Sequence, residues 1–217
     1  MIQLVIFDMD GVLTDSEQLI NAAVIAMFRE LGTIAQPDDF LPFVGTGEDR
    51  YIGGVAEKYQ LSLNLAEAKR RTYEIYLQLV PEKLTAFPGA VELVKCCRKA
   101  GLLIAVASSA DAVKVNANLK QIGLPPETWH AVISGEDVVR KKPAPDIFLT
   151  AAKRLGIAPQ DCAVIEDAVN GIEAAKAAGM RCIGVAQTFP AAKLARADVV
   201  RLRIQDVLLS DLNGKQA

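Results

Sequence analysis

The chain has 217 residues, 24 Lys plus Arg against 26 Asp plus Glu, a formal net charge of −2 and one histidine. Hydrophobic residues make up 51%, which excludes disorder as the main state, and the near-neutral balance gives no electrostatic footprint for duplex nucleic acid. One imidazole excludes a His-rich zinc centre, and no apolar run approaches the roughly 18 residues of a membrane span.

The length suits one large domain or two modest ones. Met1 leads directly into a strand-like run, without the basic start or small-residue cleavage site of a signal peptide. Residues 3–7 (QLVIF) form a short apolar run ending at Asp8 and predict a buried strand. The stretch from 16 to 84 predicts helices over 16–31, 49–59 and 65–80, with no strong strand: an all-helical insertion after the first strand. Within it, Lys69-Arg70-Arg71 reads as a solvated helix face. Gly45-Thr46-Gly47 opens like a dinucleotide fingerprint, but Arg50 holds the third glycine position and no βα unit precedes it, so that reading is rejected.

After Pro88-Gly89 the pattern becomes strand and helix in alternation. Strands are predicted over 102–107, 131–133, 162–165 and 182–185, and helices over 90–100, 111–122, 145–155 and 168–178, each followed by glycine. That alternation predicts a parallel sheet with helices on both faces, which binds ligands at the carboxyl ends of its strands. The tail from 213 to 217 is expected to fray. Of the four cysteines, Cys162 and Cys182 sit in strand-like runs as small buried hydrophobes, none of the four forms a C-x-x-C pair, and a reducing compartment fits best.

The chemistry-bearing residues fall at strand ends. Asp8-Met9-Asp10-Gly11 puts two carboxylates just past the first strand, where a hard divalent ion with oxygen ligands would relieve their repulsion, although alone the pattern is a weak signal that capping a turn would explain. Ser108-Ser109 follow the second strand, where hydroxyls and free backbone N–H groups can cradle phosphate. Lys142-Pro143 stands in a loop before a helix, and Glu166-Asp167 ends the run 162–165. Each has a structural explanation as turn serine, solvated lysine or helix cap, but the four together are much more specific.

Their order, D-x-D-G-x-x-T, then S, then K-P, then E-D, resembles the haloacid dehalogenase-like hydrolase superfamily over nearly the whole chain. Lys142-Pro143-Ala144-Pro145-Asp146 and the run 165–171 (IEDAVNG) look like the branch of β-phosphoglucomutases and sugar-phosphate phosphatases, and 44–55 (VGTGEDRYIGGV) with 105–111 (AVASSAD) is similar to a hydrolase-like domain of plant chloroplasts. The resemblance implies a Rossmann-like α/β core (1–14 and 85–217) with a small helical cap (15–84). It implies Asp8 as nucleophile forming an aspartyl-phosphate, and Asp10 as general acid and then base. Mg²⁺ would be held by Asp8, the Asp10 backbone carbonyl and Asp167. Ser108, Ser109 and Lys142 would bind phosphate, Glu166 would support the metal, and Thr14 would orient Asp10 at the first hinge. The implied partner is a small phosphorylated metabolite rather than nucleic acid or membrane, and the implied state a monomer. The implied location is cytoplasmic, or the stroma for a domain of a plant protein.

Dehalogenation is disfavoured, since a halide needs no proton and Asp10 can give one. A receiver domain is disfavoured by the insertion after the first strand. A sugar-phosphate mutase is the close rival: the family's mutases carry a cap arginine for the distal phosphate, and here Glu48 stands about there, with Arg50 shifted by about two positions. Glu48 and Arg50 are therefore the expected determinants of substrate specificity. A phosphatase-like domain used for binding or regulation is the third reading.

Overall fold

The computed structural model describes residues 1–213. Six parallel strands form one sheet: β1 (Leu4–Phe7), β2 (Leu103–Ala107), β3 (Ala131–Ile133), β4 (Cys162–Glu166), β5 (Arg181–Val185) and β6 (Val199–Arg201), in the order β3-β2-β1-β4-β5-β6. The helices are α1 (Glu17–Glu30), α2 (Glu48–Lys58), α3 (Leu65–Lys83), α4 (Ala90–Lys99), α5 (Ala112–Gln121), α6 (Asp146–Leu155), α7 (Val169–Ala177) and the single turn α8 (Leu209–Leu212).

β1 is apolar throughout because both its faces are covered. Side chains alternate between faces: Val5, Phe7, Ile104 and Val106 pack with α4 and α5 on one side, Leu4, Ile6, Ala105 and Ala107 with α6 and α7 on the other. Phe7 meets Trp129 edge to face at 5.8 Å between ring centroids, an arrangement worth about 0.5–1.5 kcal/mol beyond burial. Residues 19–84 bury a third cluster of their own, with Phe28, Phe40 and Tyr76 among its large side chains. The two strands of chain joining insertion to sheet are paired: Asp15 N–H donates to Thr85 O (3.1 Å) and Phe87 N–H to Leu13 O (3.0 Å).

Differences from the sequence expectations are local. β6 and α8 were not expected: each has only three or four residues, too few to show a period, and β6 is a half-buried edge strand. α3 continues past Val80 with Pro81 in its last turn, where Leu84 N–H still closes on Val80 O at 3.0 Å. Of the basic run, Arg70 and Arg71 do lie exposed against glutamates, but Lys69 is 21% exposed and bridges Asp49 and Asp111, both at 2.9 Å. Helix periodicity does not reveal that α3 faces a second body there. The expected frayed tail lies, from residue 214 on, outside the described residues. Among the described residues no helix is long and apolar enough to cross a membrane.

Candidate active site

Register brings the strand ends together. Phe7 is level with Val106 on β2 and Ile165 on β4, so Asp8, Ser108 and Glu166-Asp167 emerge side by side. β2 and β3 lie on one side of β1 and β4 to β6 on the other, so the crevice at the carboxyl ends opens where the strand order reverses. After Asp8 the backbone coils tightly: the N–H groups of Leu13 and Thr14 both reach Met9 O, at 2.9 and 3.0 Å. Gly11 makes the turn possible. Its φ is +81°, and a Cβ there would stand 2.0 Å from Asp167 Oδ2.

Lys142 Nζ lies 2.5 Å from both Asp8 Oδ1 and Glu166 Oε1, all three side chains buried. Burial alone would drive its proton affinity down; the facing carboxylates of Asp8 and Glu166 outweigh that and hold the ammonium above its ordinary value. Glu166 Oε2 accepts the Ala168 N–H at 2.7 Å, and Gly171 leaves room for the carboxylate, since a Cβ there would be 1.7 Å from Oε1. Burial raises the Asp8 carboxyl, Lys142 opposing and Glu166 reinforcing. Burial, then repulsion from Glu166 and Asp8, raises Asp167 as well. One oxygen each of Asp8, Glu166 and Asp167 lies within 4.8 Å of the others. Ionised together against Lys142 alone, the three carry two surplus negative charges, the charge that a divalent cation with oxygen ligands supplies.

Asp10 turns the other way. Ser16 donates to its Oδ1, Ser108 Oγ stands 3.4 Å from Oδ2, and Lys114 Nζ stands 3.0 Å from Oδ2. The Thr14 hydroxyl does not reach the Asp10 carboxylate: it approaches Met9 O (3.2 Å) and Ser16 Oγ (3.3 Å), while the Thr14 backbone brackets Asp10, accepting the Gly11 N–H and donating to Met9 O, both at 3.0 Å. Two cavities of about 50 Å³ each adjoin at Asp10, Glu17, Gly45 and Ser109. The first holds Asp8, Ser108, Lys142, Glu166 and Asp167 under a roof formed by Val44 and Gly45, where Asn170 Nδ2 donates to Gly45 O at 2.9 Å. The second is walled by Glu48, Tyr51 and Lys114. A larger groove of about 560 Å³ lies between α1 and the turn at 37–44 and contains none of the strand-end carboxylates.

The structure thus gathers Asp8, Asp10, Ser108, Ser109, Lys142, Glu166, Asp167 and Glu48 at adjoining cavities. Arg50 is not brought there: its side chain is 54% exposed, pairs with Glu57 at 3.0 Å and lies over the Phe43 ring. Glu48 is not a free carboxylate either, because Lys114 meets its Oε1 at 3.2 Å. Sequence reading missed Ser16, Glu17, Tyr51, Lys114 and Asn170, and also Thr188, which lines the first cavity and hydrogen-bonds Asp167. One of them carried a signal: Lys114 lies in the first turn of α5, where the helix dipole disfavours a cation.

A family model described as haloacid dehalogenase-like hydrolase matches residues 2–179. In an alignment that covers 94% of its length, the chain is 47% identical to the Arabidopsis thaliana Protein SUPPRESSOR OF QUENCHING 1, chloroplastic, of which it spans 20%. It is 32% identical to hexitol phosphatase B of Escherichia coli (strain K12), covering 96% of both chains. It is 33% identical to β-phosphoglucomutase of Bacillus subtilis (strain 168), covering 96% of this chain and 93% of that one. Among solved structures, CbbY from Rhodobacter sphaeroides in complex with phosphate superposes with a TM-score of 0.89 at 28% identity, covering 98% of this chain and 99% of that one.

Proposed function

The chain belongs to the haloacid dehalogenase-like hydrolases, and from that membership we propose that it hydrolyses a small phosphomonoester through an aspartyl-phosphate on Asp8, with Mg²⁺ as cofactor. The observation that carries the reading is the meeting of Asp8, Asp10, Ser108, Lys142 and Asp167 around one strand-end cavity. In the first step an Asp8 oxygen bonds to phosphorus, the bond to the ester oxygen breaks, and Asp10 gives that oxygen a proton. In the second, water attacks the phosphorus, Asp10 takes up its proton, and the Asp8–phosphorus bond breaks to free inorganic phosphate. Lys142 and Ser108 hold the phosphoryl oxygens and draw off their charge. Asp8 and Asp167, supported by Glu166, would hold Mg²⁺, which supplies further charge neutralisation.

The second cavity is suited to the leaving group. Glu48 Oε2 and Ser109 Oγ are buried there without a hydrogen-bond partner among the described residues. Unpartnered buried oxygens favour a hydroxylated, uncharged leaving group that can donate to them. A sugar or polyol monophosphate meets that need, in keeping with the name of the hexitol phosphatase relative.

The test is phosphate release from such monophosphates in Mg²⁺, with Asp8→Asn as the diagnostic variant. It should keep the fold by circular dichroism and lose at least about 10³-fold in kcat, because removing a covalent nucleophile closes the path it opens. Wild-type kcat in Asp8→Asn would remove Asp8 from the role.

A further inference from the structure

The proposed reaction leaves one buried charge in the site unassigned. Lys114 is 3% exposed, and the start of α5 is an unfavourable place for a cation. What holds it comes from three separate segments. Its Nζ lies 3.0 Å from Asp10 Oδ2 on the loop after β1, 3.2 Å from Glu48 Oε1 on α2, and 5.6 Å from the centroid of the Tyr76 ring on α3. Asp10 belongs to the core, whereas Glu48 and Tyr76 belong to the helical insertion. Burial works against this ammonium, but Asp10 and Glu48 outweigh it and hold it charged.

We propose that Lys114 is the positioning residue of Asp10, and that Glu48, from the cap, holds Lys114 in place. Asp10 is gripped on both oxygens, by Ser16 at Oδ1 and by Lys114 at Oδ2; the Ser108 contact at 3.4 Å is too long to replace Lys114. Asp10 lines both the phosphoryl cavity and the leaving-group cavity. Proton transfer to an ester oxygen needs a heavy-atom separation of about 2.6–3.2 Å, so a carboxylate free to swing loses much of its effect. Glu48, at the start of α2, meets Lys114 only while the cap keeps its place on α5, which it packs against through α3. The inference rests on Asp10 acting as the general acid.

Esters that differ in their need for a proton separate positioning from mere packing. A 4-nitrophenolate leaves without help, whereas a phenolate or alkoxide gains from protonation. Lys114→Met keeps the buried stem and removes the charge. Its kcat/KM, which reports transfer to Asp8 and not the later hydrolysis that also uses Asp10, should fall less than about fivefold on 4-nitrophenyl phosphate. On phenyl phosphate and a primary alkyl phosphate kcat/KM should fall by about 10²-fold, the lower end of a general acid's contribution. Lys114→Arg should recover most of the loss, and Glu48→Gln should show the same dependence on leaving group in weaker form. If Lys114→Met fails to fold, these two variants carry the test. Equal losses of kcat/KM on all three esters would overturn the proposal. Asp10→Asn is the control: wild-type rates on every ester would defeat the acid assignment itself, whereas selective loss in Asp10→Asn without it at Lys114 defeats only the positioning role.

Discussion

At the scale of single residues, the site concentrates charge that water would otherwise dilute. One carboxylate oxygen each of Asp8, Glu166 and Asp167 lies within 4.8 Å of the others, all three residues buried, with Lys142 facing the first two. Asp167 is the member that Lys142 does not touch, and burial with two neighbouring carboxylates raises its proton affinity well above the ordinary carboxylate range. It therefore has the most to gain from a divalent cation. Asp167→Asn keeps the size and removes the charge. Its apparent Mg²⁺ affinity, read from the rise in thermal midpoint with added MgCl₂, should fall by at least the roughly 10–100-fold that losing even an outer-shell partner costs. An unchanged midpoint response would mean that Asp167 is no ligand.

At the scale of elements, strand ends were legible in the sequence and side-chain partnerships across elements were not. Asp8, Ser108 and Glu166-Asp167 each follow an apolar run, and a parallel sheet in register must bring such positions together. Ser16, Lys114 and Asn170 reach the site only because helices pack as they do, which spacing along the chain does not encode. Arg50 shows the converse: it is close in sequence to Glu48, yet two residues further along α2 the helix turns it to solvent. The turn at 37–43 offers a test of an element's own electrostatics. Asp39 accepts from Lys58, from Tyr59 OH (2.6 Å) and from the Gln36 N–H (2.8 Å), and these bonds hold its carboxyl down to about 2. The unfolded value is about 3.9, so the folded state binds its proton less readily and gains stability above that pH. The gain is lost as pH falls from about 4 towards 2. Because Lys58 stands largely in water, it should amount to about 1 kcal/mol. Denaturant unfolding of wild type and Asp39→Asn should differ by that amount at pH 6 and converge near pH 2. A gap that stays constant over this range would assign the effect to packing instead.

At the scale of the whole molecule, the cap rests on α5 through polar contacts while burying its own apolar cluster. Lys69 bridges to Asp111, the Asp111 N–H donates to Tyr73 OH (3.2 Å), Tyr76 OH donates to Asn118 Oδ1 (2.8 Å), and Gln121 Nε2 donates to Pro81 O (3.2 Å). Polar seams between bodies permit relative motion, and the two small cavities beneath the cap require it for a substrate to enter. That arrangement bears on the choice between hydrolysis and isomerisation, which near-equal identity to a phosphatase and to a mutase does not make. A mutase must retain a bisphosphate while it turns over, and so needs a cation for the distal phosphate. Arg50 faces solvent, and Lys114 is already shared between Asp10 and Glu48. The absent charge-assisted hydrogen bond would be worth about 1.5–3 kcal/mol, or about 10–150-fold in retention. Given β-glucose 1-phosphate, Mg²⁺ and a trace of the 1,6-bisphosphate, the protein should release inorganic phosphate faster than it forms glucose 6-phosphate. The bisphosphate should wash out rather than accumulate on the enzyme. Glucose 6-phosphate appearing first would mean that closure frees Lys114 from Glu48, or swings Arg50 inward, and that the cap grips a second phosphate after all.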